Sequence, residues 1–413
     1  MNLAVIGLGK LGLPLAALLA SSGNLVKAFD VQEAVRSAIK SKNVQTNEPG
    51  LLDLLAREDI QLNIVESVSE AITDVEAVFL IVPTPSLPTG PFTNEYLIDV
   101  MAKIGSALVP SQRLVIDVVS TVMPGSCDGP LRHALEKSSG RKLDENLGLC
   151  YNPEFIALGS VLHDMEYPDM HLIGQSSEWA GEVVERALTS IIKREVPSRR
   201  MNLKEAELVK IAVNNYVTMK ISFANMLYQA ALTLDDVNID TVTNAIGLDS
   251  RIGTKYLKAA APYGGPCFPR DTRALSFLYS ELGLADSLSA ATESANKNHA
   301  EFIAKYIKQS TFADARIGIC GISYKTGTQV IEESPGIAIG RLLADDGHEV
   351  RFWDDEEAIP FDSEKVFYPE NSAESLVSGV DFVVITRPLN DVKEFFEILN
   401  KFKKPYLDLW RQG

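Results

Sequence analysis

The sequence predicts an α/β protein with two Rossmann-like doubly wound domains, joined by a long central helix and a helical segment. Three observations predict it. An apolar strand, Asn2–Ile6, runs straight into Gly7-Leu8-Gly9-Lys10-Leu11-Gly12 and then into an apolar helix. From Asn202 a helical pattern continues without proline or glycine to about Leu232. Beyond residue 315 strand and helix patterns alternate again, now without the glycine spacing. A chain of 413 residues is too long for one core. The expected division is 1–198, 199–300 and 301–413, the middle part being helical.

Composition narrows the function. Hydrophobic residues make up 46% and charged residues 23%, ordinary values for a folded globular protein. The formal net charge is −16 and basic runs are missing, so nucleic acid and anionic membranes are not expected partners. An anionic ligand would need locally placed cations. The four cysteines, at 127, 150, 267 and 320, form no CxxC pair, and the first residues do not read as a signal peptide. A reduced, cytoplasmic protein without a metal cluster is expected.

The glycine motif gains weight from its surroundings. It follows a strand, opens a helix at residues 14–20, and is answered by a second strand, Leu25–Phe29, that ends in Asp30. This is the setting of a dinucleotide fingerprint: Gly7, Gly9 and Gly12 allow a tight turn and close approach of a pyrophosphate, with Lys10 and Leu11 between them. Asp30 can accept both ribose hydroxyls, which favours NAD over NADP. Two further strands, 77–82 and 114–119, end in Pro83-Thr84-Pro85 and Ser120-Thr121-Val122-Met123-Pro124-Gly125. Ligands of such sheets lie at the carboxyl ends of the strands, so Thr84, Ser120 and Thr121 are candidate cofactor contacts. A strand at Leu147–Tyr151 leads to Asn152-Pro153-Glu154-Phe155. The Glu154 carboxylate either holds a water or hydroxyl or caps the next helix.

Asn202 and Glu205 form an Asx capping box that starts the long helix. Its residues are apolar nearly all round, so burial is expected, including burial against a second subunit. Lys210 and Asn214 lie four apart on one face. Lys210 either serves a site or pairs with Glu207 on a solvated strip. Further helix is expected at 239–246 and through 272–309. Between them lies Tyr263-Gly264-Gly265-Pro266-Cys267-Phe268-Pro269-Arg270-Asp271. Two glycines leave a thiol uncovered and a carboxylate follows four residues on, which suits a nucleophile. The alternative is that Cys267 is a small buried hydrophobe. The last part reads as strands at 316–320, Val350–Trp353 and 381–386 around a helix at 335–344. Its Gly318-Ile319-Cys320-Gly321-Ile322-Ser323 is not a dinucleotide fingerprint, so a ligand other than NAD is expected there.

Together these segments resemble one family, the UDP-glucose/GDP-mannose dehydrogenases. The resemblance runs through Glu48-Pro49-Gly50-Leu51, Val82-Pro83-Thr84-Pro85, Ser120-Thr121-Val122, Asn152-Pro153-Glu154-Phe155 and Glu205-Ala206-Glu207 with Lys210 and Asn214. It continues through Asp249-Ser250-Arg251-Ile252-Gly253, the cysteine loop, Tyr324-Lys325 and Glu333-Ser334-Pro335. It implies a four-electron oxidation of a nucleotide sugar at C6 with NAD, through a thiohemiacetal and a thioester on Cys267. It also implies oxyanion donors at Lys210 and Asn214, a water activated by Asp271 with Thr121 and Glu154, and substrate contacts at Phe155, Arg251, Tyr256, Gly264 and Lys325. The resemblance further implies a homodimer formed through the central helix and a nucleotide-binding role for 301–413. The cysteine loop is similar to that of members acting on UDP-glucose or GDP-mannose, and UDP-glucose is the expected substrate. Another nucleotide sugar, such as a UDP-N-acetylhexosamine, GDP-mannose or TDP-glucose, and a catalytically weak sugar-nucleotide-binding relative are the alternatives. The chain departs from the family pattern at Leu158, Met170, Ala259-Ala260-Ala261-Pro262, Arg270 and Glu332.

Overall fold

The structure, a computed structural model, describes residues 1–143, 146–156, 159–285, 288–356 and 367–412. Leu158 therefore lies outside the described residues. The chain divides into two compact units, Met1–Ala212 and Val213–Gly413.

The first unit is built on β1 (Asn2–Ile6), β2 (Leu25–Phe29), β3 (Gln61–Ile64), β4 (Ala77–Leu80), β5 (Leu114–Val118), β6 (Leu147–Tyr151), β7 (His171–Gln175) and β8 (Ser198–Met201). Among the described residues these form one sheet in the order β3-β2-β1-β4-β5-β6-β7-β8. The pairings are parallel except β6 with β7. The central strands are apolar on both faces because helices cover both. Leu3 and Val5 belong to one buried layer, Ala4 and Ile6 to the other. The first helix, Gly12–Ser21, is buried from Gly12 to Ala20, which explains its lack of a polar face. β3, β7 and β8 escape sequence reading because each is short and mixes polar with apolar residues.

The second unit carries β9 (Ile317–Cys320), β10 (Val350–Trp353), β11 (Phe367–Pro369), β12 (Phe382–Ile385) and β13 (Tyr406–Asp408). They make a parallel sheet in the order β11-β10-β9-β12-β13. One core joins this sheet to the helical segment, with Ala224, Tyr228, Ile239, Ala259 and Ile303 buried beside Ile317, Ile319 and Phe352. The helix expected through 272–309 is instead two, Phe268–Glu281 and Leu288–Gln309. Gly283, at φ +67°, ends the first of them in the left-handed conformation that glycine adopts without strain.

The long helix spans Leu203–Ala231 and belongs to both units. Its expected capping box is present: Asn202 N–H donates to Glu205 Oε2 at 3.0 Å and Glu205 N–H to Asn202 Oδ1 at 2.9 Å. Leu203 and Ala206 enter the core of the first unit, Ala224 and Tyr228 that of the second. The helix is not buried all round, however: Leu208, Tyr216, Phe223 and Met226 are exposed.

Candidate active site

In the first unit the glycine motif has the shape that a dinucleotide needs. Gly7 stands at φ +95°, and a Cβ there would meet the Ile81 carbonyl oxygen at 2.0 Å. A Cβ on Gly12 would meet the Gly7 oxygen at 1.8 Å, so both glycines are required by close packing of strand, turn and helix. Around Gly9 the space is open, and a Cβ there would meet nothing within 4 Å. The opening lies at the N-terminus of Gly12–Ser21, where no side chain caps the free N–H groups. A pyrophosphate fits those donors. Lys10 is exposed and Leu11 half-buried at the turn. Asp30 closes it: Oδ2 accepts the Leu8 N–H and Oδ1 the Gln32 N–H, each at 2.8 Å. Each carboxylate oxygen keeps lone-pair capacity for a ribose hydroxyl.

The loops after β4 and β5 are tied to each other. The buried Thr84 hydroxyl donates to the Thr121 carbonyl at 2.7 Å. The Ser120 hydroxyl donates to the Val82 carbonyl at 2.7 Å and accepts the Val82 N–H at 2.9 Å. Thr84 and Ser120 thus shape the carboxyl edge of the sheet, while Thr121 is half-exposed at it.

Lys210 is buried, and its ammonium donates to the Glu154 carbonyl at 2.6 Å with the Phe155 ring 4.7 Å away. It is not a member of a solvated strip with Glu207. Glu207 is wholly buried, and its carboxylate accepts the N–H groups of Gly125 and Cys127. That role escaped the sequence because the partners lie about 80 residues away. The Glu154 carboxyl is pushed up to about 7, chiefly by burial, with Asp164 adding repulsion and Lys210 opposing both. A carboxyl titrating near neutrality can exchange a proton with a reacting group.

In the second unit Cys267 is exposed and stands at the N-cap of Phe268–Glu281. Cys127, Cys150 and Cys320 are buried, with thiols pushed well above their ordinary value by burial, and are unsuited to nucleophilic work. The helix N-terminus favours a thiolate at Cys267. One turn in, Asp271 is buried: Oδ2 accepts from the Asn214 amide at 2.6 Å and its carbonyl from the Asn215 amide at 2.9 Å. Arg270 Nε is 3.9 Å from Asp271 Oδ1. The glycines beside the cysteine are forced by close approach. A Cβ on Gly264 would meet the Glu333 carbonyl at 2.1 Å, and one on Gly265 the Tyr324 ring at 2.5 Å. The Tyr324 phenol is pushed up to about 12, mainly by burial and then by the charge of Cys267.

The remaining candidates are arranged more loosely. Lys325 Nζ stands 5.9 Å from the Tyr324 ring centre. Tyr256, exposed at φ +63°, meets Phe268 edge-on at 6.4 Å. The Arg251 side chain is 86% exposed and pairs with Asp249 at 2.6 Å, outside any core. Glu332 is exposed and makes no ion pair among the described residues. Its carbonyl instead accepts the Gly265 N–H at 3.1 Å. The turn after β9 is built like the cofactor turn, with Gly321 at φ +104° and a Cβ on Gly336 that would meet the Gly321 oxygen at 2.2 Å, but its acid is engaged by an arginine. Asp354 accepts the Ile322 and Ser323 N–H groups and is bound, with Asp355, to the buried Arg387 guanidinium.

Comparison with known proteins decides the family. Residues 1–192 match the NAD-binding domain of the UDP-glucose/GDP-mannose dehydrogenase family, and residues 204–298 match its central domain. The chain belongs to that family. It is an NAD-dependent nucleotide-sugar 6-dehydrogenase, and the open turn at Gly9 above Asp30 suits its cofactor. It is 29% identical over 359 residues to a UDP-glucose 6-dehydrogenase of Haloferax volcanii, covering 86% of this chain and 83% of that one. It is 28% identical over 371 residues to a GDP-mannose 6-dehydrogenase of Pseudomonas aeruginosa, covering 86% and 81%. A solved UDP-glucose dehydrogenase from Pyrobaculum islandicum superposes with a TM-score of 0.87 at 28% identity, covering 99% of this chain and 94% of that one. Among the described residues, no helix is long and apolar enough to cross a membrane.

Proposed function

We propose that the chain oxidises UDP-glucose to UDP-glucuronate, with Cys267 as the covalent anchor. The observation that carries this reading is the exposed thiol at a helix N-terminus, one turn from a buried carboxylate held by Asn214. When bound, NAD supplies the hydride acceptor, one molecule for each of two oxidations. The C6 alcohol loses a hydride and its hydroxyl proton to give an aldehyde. The Cys267 thiolate adds to that carbonyl, and the thiohemiacetal loses the second hydride to become a thioester. Water attacks the thioester, the C–S bond breaks, and thiol and carboxylate are released.

Each addition puts negative charge on the carbonyl oxygen. Lys210 and Asn214, one turn apart on a continuous helix, are the donors assigned to it. Asp271 orients the hydrolytic water. Glu154 takes its proton, with Thr121 assisting. Arg251, Tyr256, Phe155, Gly264 and Lys325 are assigned to the nucleotide sugar, the two cations to its diphosphate. The domain at 301–413 would hold the nucleotide end.

Support for a homodimer comes from the long helix. Leu208, Tyr216, Phe223 and Met226 are 44%, 59%, 45% and 52% exposed, a stripe of large apolar residues for which a second copy of the same helix is the proposed cover.

The test is Cys267→Ser with NAD and a panel of nucleotide sugars. The variant is expected to bind both ligands and to release no acid, whereas the wild type turns UDP-glucose over at higher kcat/KM than GDP-mannose or UDP-N-acetylhexosamines. Acid release by the variant would remove Cys267 from the reaction. A preference for another sugar would replace the substrate and leave the chemistry.

A further inference from the structure

Residues 259–263, just before the cysteine loop, are buried yet form neither helix nor strand. A buried irregular backbone must find hydrogen-bond partners elsewhere. Here side chains of the helical segment provide them. The Asn225 carboxamide accepts the Ala260 N–H at 2.8 Å and donates to the Ala261 carbonyl at 3.1 Å. The Asn296 carboxamide accepts the Tyr263 N–H and donates to the Tyr263 carbonyl, both at 2.9 Å. Within the stretch held by Asn225, His299 Nε2 is 2.8 Å from the Ala260 carbonyl oxygen.

Chemistry fixes the state of that histidine. A carbonyl only accepts, so Nε2 carries the proton. Nδ1 then accepts from the Gln229 amide at 3.1 Å. His299 is 1% exposed, and burial drives its pKa down to about 4, which keeps the ring neutral in this arrangement. Arg411 also donates to the Ala259 carbonyl. From Ala259 to Tyr263 the strut is held from three separate stretches of chain, and Cys267 follows four residues later.

We propose that His299, together with Asn225 and Asn296, acts as a set of positioning residues that places Cys267 at the helix N-terminus for attack. The proposal rests on Cys267 being the nucleophile. Its mechanical content is that losing one clamp shifts the strut, and a displacement of about 1 Å at a reacting atom costs on the order of a hundredfold in rate. His299→Leu removes the donor to Ala260 with little change of volume. His299→Gln retains an N–H that can reach the same carbonyl. Asn296→Asp keeps size and shape but sets an acceptor against the Tyr263 carbonyl.

The experiment uses the full chain and two readouts: kcat, and the rate at which iodoacetamide alkylates Cys267 at pH 7.5, located by peptide mass. The alkylation rate reports thiolate character at the helix terminus and needs no turnover. His299→Leu and Asn296→Asp are expected to lose about tenfold or more in kcat and severalfold in alkylation rate, with the Kd for NAD unchanged. His299→Gln is expected to recover both to within about twofold of wild type. Should His299→Leu not fold, Asn296→Asp carries the test. Alkylation and kcat at wild-type levels in folded His299→Leu or Asn296→Asp would overturn the proposal. So would failure of His299→Gln to restore either. If Cys267→Ser still releases acid, the nucleophile reading fails instead, and a slowed alkylation in the clamp variants would stand apart from that result.

Discussion

Asp117 is a carboxyl set in an apolar sheet, facing Phe79 and Cys150 in register on the neighbouring strands. It is fully buried, and neither oxygen has a hydrogen-bond partner. Burial, with repulsion from Glu154, holds its pKa well above the ordinary range. The folded chain keeps a proton that the unfolded chain releases above pH about 4, so stability is lost as pH rises from there. Asp117→Val should therefore stabilise the protein by about 1–3 kcal/mol at pH 7 in urea unfolding, and the gain should shrink at pH 5. Glu154 supplies a second prediction at this scale. As a base it must be ionised, so acid release should climb with pH through about 7. Glu154→Gln should lower the rate roughly a hundredfold and abolish that limb of the profile. Asp30 should give NAD a large advantage over NADP in kcat/KM, since a 2′-phosphate would meet its carboxylate; equal values would contradict its assignment. Cys267, Lys210, Asn214 and Asp30 stand out in the sequence as candidates because each sits in a local pattern whose chemistry spacing can express. Asp117, Glu207 and His299 do not, since their meaning depends on partners brought by strand pairing or by helix packing.

At the scale of elements, the long helix shows which features sequence can carry. Its start was readable from Asn202 and Glu205, because a capping box is local. Its faces were less so: uniform apolarity gave no sign that Phe223 and Met226 would be exposed while Ala224 is buried. Glu207 links this helix to the turn after β5 by two backbone N–H groups. Glu207→Leu would leave both unsatisfied in a buried place, and a loss of about 3 kcal/mol is expected in urea unfolding. The short edge strands β8, β11 and β13 were missed because a few residues carry too little alternation to distinguish them from loop. The break before Leu288 was missed because Gly283 alone is a weak helix stop in sequence, whereas its positive φ is decisive in the structure.

At the scale of the whole molecule, the strand and glycine patterns made both sheets legible, and the central strands were read within a residue or two. An acidic chain that takes a nucleotide diphosphate must concentrate cations locally, the role proposed above for Arg251 and Lys325. If the apolar stripe on the long helix is covered by a second copy, the wild type should run as a dimer by light scattering and Tyr216→Glu with Phe223→Glu as a monomer, since a charge opposite its own copy would be buried and repelled. An unchanged mass would place the interface elsewhere. The central claim is that one thiol carries one substrate through two oxidations. It is tested most directly by giving the enzyme limiting UDP-glucose with excess NAD and counting NADH against acid formed. The account predicts two NADH and one glucuronate for each sugar consumed, with no free aldehyde; one NADH per sugar, with aldehyde as the product, would contradict it.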